Sequence, residues 1–305
     1  MSATPWSDLM QCPSCGAGGE DLRRGPACSS CDTTFTIAGN CVTWKARTFD
    51  YAAMRRSAIL RSAFNPVANP YSPIVRAVRR ITDGYYRRTL KDVDLARRFL
   101  TYYLRGIDVG PHTCVLDHGC GRGRLIGLLT QLGAHVSGQD IVAHPWWHHF
   151  HACTFQVVPP EYRRLPWPAK HFDLVLDFGV IDYFDEEELG VLASEVHRTL
   201  RDPGYWVVWT ANPTGRGAHA RQTPYSHAHA VVERIGVQAG FHVDSLRFDG
   251  VAFRRFPVLL GALETIRRGS AFDYFSYGSL EAPVADQHKS KCLIVFTKSP
   301  RHEPV

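Results

Sequence analysis

Two groups of residues in this chain have the types and spacing to do chemistry. The first runs Asp117-His-Gly-Cys-Gly-Arg-Gly123 and is answered by an acid, Asp140, closing the stretch Ala134-His-Val-Ser-Gly-Gln-Asp140. Glycines at a tight turn let main chain approach a ligand that a Cβ would exclude, and an acid at the tip of the next strand is placed to hold a ribose diol. A short apolar run from Thr113 leads into Asp117, and a helical pattern follows at Leu125, Leu128, Leu129 and Leu132. The order is that of a strand–turn–helix–strand nucleoside site, with a tight turn lacking any ligand as the competing reading. The second group is Cys12-Pro-Ser-Cys15 with Cys28-Ser-Ser-Cys31, spaced C-x2-C-x12-C-x2-C. Two such knuckles close a tetrahedral thiolate site, against the alternatives of free thiols or a redox pair. Zinc would fill it without redox chemistry and would supply folding energy to a segment too small for its own core. Four protein ligands leave no open position, so Cys12, Cys15, Cys28 and Cys31 are expected to hold a structural zinc rather than a catalytic one.

The glycine turn is spaced G-x-G-x-G, with Arg124 where a dinucleotide fingerprint would carry its last glycine. A carboxylate at Asp117 would repel a pyrophosphate but attract the ammonium of a methionine moiety. On these residues the stretch resembles motif I, D/E-x-G-x-G-x-G, of the class I S-adenosylmethionine (SAM) methyltransferases. Three later stretches resemble that family in order. Leu165-Pro-Trp-Pro-Ala-Lys-His-Phe-Asp-Leu-Val-Leu-Asp-Phe-Gly179 is similar to its approach to strand four, and Ala239-Gly-Phe-His-Val243 to its approach to strand six. Glu195–Trp209 is similar to the helix and turn before strand five, commonly R-x-L-K-P-G-G, with Asp202 inserted and Tyr205 replacing the second glycine.

The resemblance implies an α/β fold: a Rossmann-like seven-stranded methyltransferase sheet with helices on both faces. It implies SAM as cofactor over Asp117, Gly119, Cys120, Gly121 and Gly123, with Asp140 on the ribose and Ile141 against the adenine. Glu161 and Tyr162 fall where the family has an acid near the adenine amine. Phe178 follows strand four, toward the methyl group.

The elements that must position these residues divide the chain into a zinc ribbon (1–45, closed by a hairpin over Phe35–Trp44), a basic helical connecting or cap segment (46–108), the methyltransferase domain (109–299) and a tail (300–305). Within the domain, the connection at about 249–290 is long and aromatic, which reads as a substrate lid or as auxiliary helix packing. At 305 residues the chain can bury a full core. It has neither a run of about eighteen apolar residues nor a secretory h-region, so it is expected to be cytoplasmic with no membrane partner. The net charge is +6. Arg55-Arg56, Arg79-Arg80, Arg87-Arg88 and Arg97-Arg98 form either a solvated helix face or a surface for phosphate on RNA, a nucleotide-bearing substrate or an acidic carrier.

Methyl transfer from a sulfonium is an in-line displacement, so alignment and water exclusion can supply most of the acceleration. A base is needed only where the acceptor must first lose a proton. Asp182 and Tyr183 after strand four, with Tyr225 and His227 after strand five, are the acid/base or orienting candidates. Asp177-Phe-Gly-Val180 is not the D/N-P-P-Y tetrad of exocyclic-amine methylases, which weakens adenine-N6 or cytosine-N4 chemistry. The histidines of His144-Pro-Trp-Trp-His-His-Phe-His151 lack a nearby carboxylate to complete a metal set, and this stretch is expected to start a helix with aromatics packed near the adenine. The expected activity is methylation of an O or N atom of a small-molecule or carrier-linked metabolite. The alternative is an rRNA or tRNA base methyltransferase that grips RNA with its ribbon and basic helices, as the ribbon's resemblance to the large-subunit rRNA guanine methyltransferases implies. A scaffold with a vestigial SAM fold is a third reading, disfavoured by retention of Asp117, the loop glycines and Asp140.

Overall fold

The computed structural model describes residues 9–23, 26–50, 93–213, 225, 227–249 and 291–298. The segment 51–92, the greater part of the expected lid (250–290) and the tail lie outside the described residues, as do Arg55-Arg56, Arg79-Arg80 and Arg87-Arg88. In chain order the elements are α1 (Glu20–Arg23), β1 (Phe35–Ala38), β2 (Cys41–Trp44), α2 (Val93–Tyr103), β3 (Cys114–His118), α3 (Arg124–Thr130), β4 (His135–Asp140), β5 (Thr154–Val157), β6 (Phe172–Phe178), α4 (Glu186–Thr199), β7 (Leu200–Ala211), α5 (His229–Gln238), β8 (His242–Asp249) and β9 (Lys291–Lys298). None of the described helices is long and apolar enough to cross a membrane.

A strand covered on both faces reads as a continuous apolar run, and β3 obeys: Val115 and Leu116 are both fully buried, on opposite faces. On one face Val115, Leu174 and Val207 pack under Ile126 and Leu129 of α3 and Ala96 of α2. On the other, Leu116, Val175 and Trp206 meet Leu192 and Val196 of α4 and Ile235 of α5. Helix α4 starts where Asp185 and Glu188 form a reciprocal capping box, the Asp185 carboxylate accepting from Glu188 N at 2.8 Å and Asp185 N donating back at 3.1 Å.

The sheet runs β1-β2-β5-β4-β3-β6-β7-β9-β8 and has nine strands, two more than expected. Strands β2 to β7 pair in parallel, while β9 runs antiparallel to both its neighbours. The extra pair is the antiparallel β1–β2 hairpin that follows the four cysteines: β2 docks in parallel on β5, Cys41 opposite Phe155 and Thr43 opposite Val157. Without it β5 would be a bare edge, a row of unpaired main-chain groups. Asn40 fixes the junction, its Nδ2 donating to Phe150 O at 2.8 Å and Cys153 O at 3.0 Å, while its own carbonyl accepts from Phe155 N.

The departure at Asp202 is absorbed where β7 begins. The β6–β7 register passes from Phe172↔Leu200 to Leu174↔Tyr205, so the added residues bulge out. The Asp202 carboxylate is gripped by Lys170 at 3.0 Å and Lys298 at 2.9 Å.

Candidate cofactor site and thiolate centre

Strand β3 ends in Asp117, 2% exposed, and the chain then turns through Gly119, Cys120 and Gly121. Gly121 takes φ +50°, and a Cβ there would stand in open space, so the turn presents bare main chain to whatever lies above it. Three bonds hold the turn. Asp140 Oδ2 accepts from Gly121 N at 2.8 Å, Trp147 Nε1 donates to Gly121 O at 2.8 Å, and Cys120 N donates to Gln139 O at 3.0 Å. Asp140 Oδ1 accepts from Ile141 N at 2.7 Å. Trp147 belongs to a 3-10 turn (Pro145–His149) started by His144, whose Nδ1 accepts from Trp146 N, and its ring stacks on Phe155. The aromatics after β4 therefore pack against the glycine turn, and His144 serves as a cap.

Above the turn lies a cavity of about 300 Å³, walled by Asp117, Gly119, Gly121, Tyr103, Phe178 and Trp209. Its volume suits a small ligand. Phe178 stacks on Trp209 at 5.9 Å and meets Tyr103 edge-on at 5.5 Å. Asp117 Oδ2 is buried and has no hydrogen-bond partner among the described residues. Burial, reinforced by the nearby Asp140 and Asp177 carboxylates, pushes the Asp117 carboxyl well above its ordinary range. A buried acid with an orphan oxygen at a glycine cradle is the complement of a cationic ligand, and the ammonium of SAM fits it. Asp117, Gly119, Cys120 and Gly121 line this cavity together with Phe178. Asp140 and Ile141 adjoin it through the turn, while Gly123 begins α3 with its Cα against the Phe150 ring.

Glu161 and Tyr162 are placed elsewhere. The Glu161 carboxylate accepts from Thr48 N at 2.7 Å and Phe49 N at 2.8 Å, and also from Arg47 N and Thr48 Oγ1. Tyr162 packs on the ribbon core and its hydroxyl donates to Lys45 O at 2.9 Å. Both line a separate groove of about 520 Å³ beside the ribbon with Pro13, Arg47 and Arg164. They clasp the chain after β2, in a groove separate from the cavity at the glycine turn.

At the carboxyl ends of β6 and β7 a second polar group gathers. Asp182, 1% exposed, accepts from Thr210 Oγ1 at 2.5 Å, and its carbonyl accepts from Tyr225 N at 3.1 Å. His227 Nε2 donates to Phe184 O at 2.8 Å, and its ring lies parallel to that of Tyr225. Tyr183 is half-exposed beside Asp182, and burial, with Asp182 and Asp140, pushes its phenol up. All four sequence candidates thus meet at one end of the sheet. One pair had escaped notice: His118 Nδ1 lies 3.1 Å from Asp177 Oδ2, with side chains 8% and 0% exposed. Both sit on the face opposite Asp117.

In the ribbon, Cys12, Cys15, Cys28 and Cys31 bring their Sγ atoms within 4.8 Å of one another. The Cys12–Cys31 and Cys15–Cys28 pairs are each 3.6 Å apart. A tetrahedron with metal–sulfur bonds of about 2.3 Å has an edge of about 3.8 Å, so the four thiols fit zinc. The knuckles are shaped by Gly16 N donating to Cys12 O and Asp32 N donating to Cys28 O, both short turns back onto a ligand. None of the nine cysteines forms a disulfide.

Residues 116–208 match the family described as a methyltransferase domain, a span from the end of β3 through β7. The α/β unit is accordingly a methyltransferase domain of the SAM-dependent class, and the chain is an enzyme of that class. No curated protein matches the chain. Among solved structures, it is similar to a SAM-dependent methyltransferase from Archaeoglobus fulgidus (20% identity over 66% of this chain and 90% of that one, TM-score 0.43). It is similar also to the 1,6-didemethyltoxoflavin-N1-methyltransferase of Burkholderia thailandensis (18% identity, 87% and 98% covered, TM-score 0.47). A third is phosphoethanolamine N-methyltransferase 2 of Haemonchus contortus (17% identity, 67% and 53% covered, TM-score 0.48).

Proposed function

We propose that this enzyme methylates an O or N atom of a small-molecule or carrier-linked metabolite in the cytoplasm, with a structural zinc in its ribbon. When bound, SAM supplies a methyl group on a sulfonium, the electrophile. Asp117 would take its ammonium, Gly119–Gly121 would lie against its chain, and Asp140 would hold the ribose while bracing the turn. Asp140 Oδ1 already accepts from Ile141 N and, at 3.4 Å, from Val142 N, whereas Oδ2, which accepts from Gly121 N, retains a second lone pair for a hydroxyl. Asp182, Tyr183, Tyr225 and His227 would orient the acceptor at the tips of β6 and β7. The observation that carries the cofactor assignment is the orphan Asp117 oxygen at an open glycine cradle.

The metabolite reading is preferred to an RNA base because the ribbon is built into the sheet. Its core residues Phe35, Val42 and Trp44 pack with Val158 and Tyr162, and Trp44 Nε1 donates to Gln156 Oε1 at 2.7 Å. A module committed to holding its own domain has less surface left to act as an RNA-gripping arm. The test is to incubate the full chain with methyl-labelled SAM and, separately, a small-molecule extract or total RNA. Label should enter the small molecules, and label confined to RNA would replace this reading with the alternative.

A further inference from the structure

We propose that His118 is the base that takes the acceptor's proton, and that Asp177 is its positioning residue. The proposal rests on the methyltransferase reading above. Strand order reverses between β3 and β6: from β3 the chain goes outward to β4 and β5, then returns to build β6 and β7 on the other side. In open α/β sheets ligands occupy the crevice at the carboxyl ends of the strands at this reversal. His118 and Asp177 are register partners there, each the last or next-to-last residue of its strand.

A carboxylate only accepts, so Nδ1 carries the ring proton and Nε2 is left with its lone pair. Among the described residues no hydrogen bond reaches Nε2, and the side chain keeps 8% of its surface accessible. Asp177 from β6, the Phe184 ring 6.2 Å away and the Asp140 charge from β4 surround the imidazole. Two of the other candidates already have partners for the atoms in question. His227 Nε2 serves the Phe184 carbonyl, and Asp182 Oδ1 serves Thr210.

Alternation along β3 sends Asp117 to the cavity face and His118 to the other. In-line displacement requires the acceptor opposite the departing sulfur. With a donor over the β3–β4 turn, the crevice at the β3 and β6 tips is where an acceptor could lie in line, and His118 and Asp177 stand at those tips. In the step, the acceptor's O–H or N–H proton passes to Nε2 while that oxygen or nitrogen bonds the methyl carbon. The carbon–sulfur electron pair leaves with sulfur as S-adenosylhomocysteine. Asp177 steadies the imidazolium until its proton passes to water.

Two measurements on the full chain test this, with sinefungin, an amine analogue of the donor, as the probe. In a co-crystal, the amine that replaces the methylsulfonium should face a space into which Nε2 opens, at about 6 Å, the sum of a near-attack contact and one hydrogen bond. A ring walled off from the amine by protein atoms would overturn the assignment. By NMR of labelled histidine, the ring nitrogens of His118 should report a proton on Nδ1 and a lone pair on Nε2, a tautomer that Asp177→Asn should disturb and Asp177→Glu should restore. An unmoved tautomer removes Asp177 from its role, whatever its effect on stability. Failure of sinefungin to bind at all is a different result, because it defeats the cofactor reading on which the proposal stands.

Discussion

Replacing Asp140 with alanine tests the cofactor geometry most directly. In the structure this carboxylate accepts from Gly121 N at 2.8 Å and Ile141 N at 2.7 Å, so the substitution removes both the expected ribose contact and a brace of the turn. Gly121 is exposed and Ile141 half-buried, so water can satisfy the freed N–H groups and the fold should lose little. The donor has no such replacement. Losing a charged hydrogen bond costs about 1.5–3 kcal/mol, equivalent to a roughly tenfold to 150-fold weaker Kd. Calorimetric titration of S-adenosylhomocysteine into wild type and Asp140→Ala measures this, with a thermal melt as the control for folding. Asp140→Asn, which keeps one acceptor oxygen, should fall between the two. An affinity within about twofold of wild type, in a protein that melts normally, would refute the placement of the ribose.

Three further outcomes follow from the same site. Trp147→Phe keeps the ring that stacks on Phe155 at 4.6 Å but loses the donor to Gly121 O, and should weaken S-adenosylhomocysteine binding roughly two- to twelvefold by calorimetry. Gly119→Ala places a Cβ 2.1 Å from Val180 Cγ2 at φ +68°, and should lower stability by roughly 1–3 kcal/mol in denaturant melts. For Asp117, burial holds the folded-state pKa above the unfolded value, so the unliganded fold retains a proton that the unfolded chain releases. That contribution is present in full below the ordinary carboxylate range, near pH 4, and is lost as pH climbs toward the raised value. Melting temperatures followed from about pH 4 to about pH 8 should therefore fall less in Asp117→Asn than in wild type, and identical slopes would count against it.

What could be read in the sequence was local. The glycine turn, the acids flanking it and the thiolate spacing are all set by neighbours along the chain, and the strands ending at Asp117 and Asp140 were legible from short runs with turn residues at their ends. What could not be read was pairing at a distance. That β2 docks on β5 depends on residues more than a hundred positions apart, as does the clasp of Glu161 on Thr48 and Phe49. An acid near the end of a strand looks the same in sequence whether it faces a ligand or caps another segment. The His118–Asp177 pair needed the β3–β6 register, although a histidine beside a motif acid was a signal in itself.

The place of the β1–β2 hairpin at the sheet edge would give a metal on the four thiols a consequence far from them. Trp44 and the β2–β5 ladder fix β5, and β5 in turn fixes the tip of β4, where Val157 pairs with Asp140 and Val158 N donates to Asp140 O at 2.9 Å. Asn40 also holds the Phe150 carbonyl, and the Phe150 ring lies close under Gly123. Loss of the metal should therefore loosen the donor site as well as the ribbon. Cys28→Ser is expected to release zinc, to unprotect the β1–β2 hairpin in hydrogen exchange and to weaken S-adenosylhomocysteine binding by roughly fivefold or more, the lower end of ordinary coupling between sites. Asn40→Ala should weaken the same binding while retaining the metal, which separates the mechanical link from any effect of the zinc charge. If the hairpin opens and the metal is gone but the affinity stays at its wild-type value, β5 holds its position without the ribbon and the coupling does not exist.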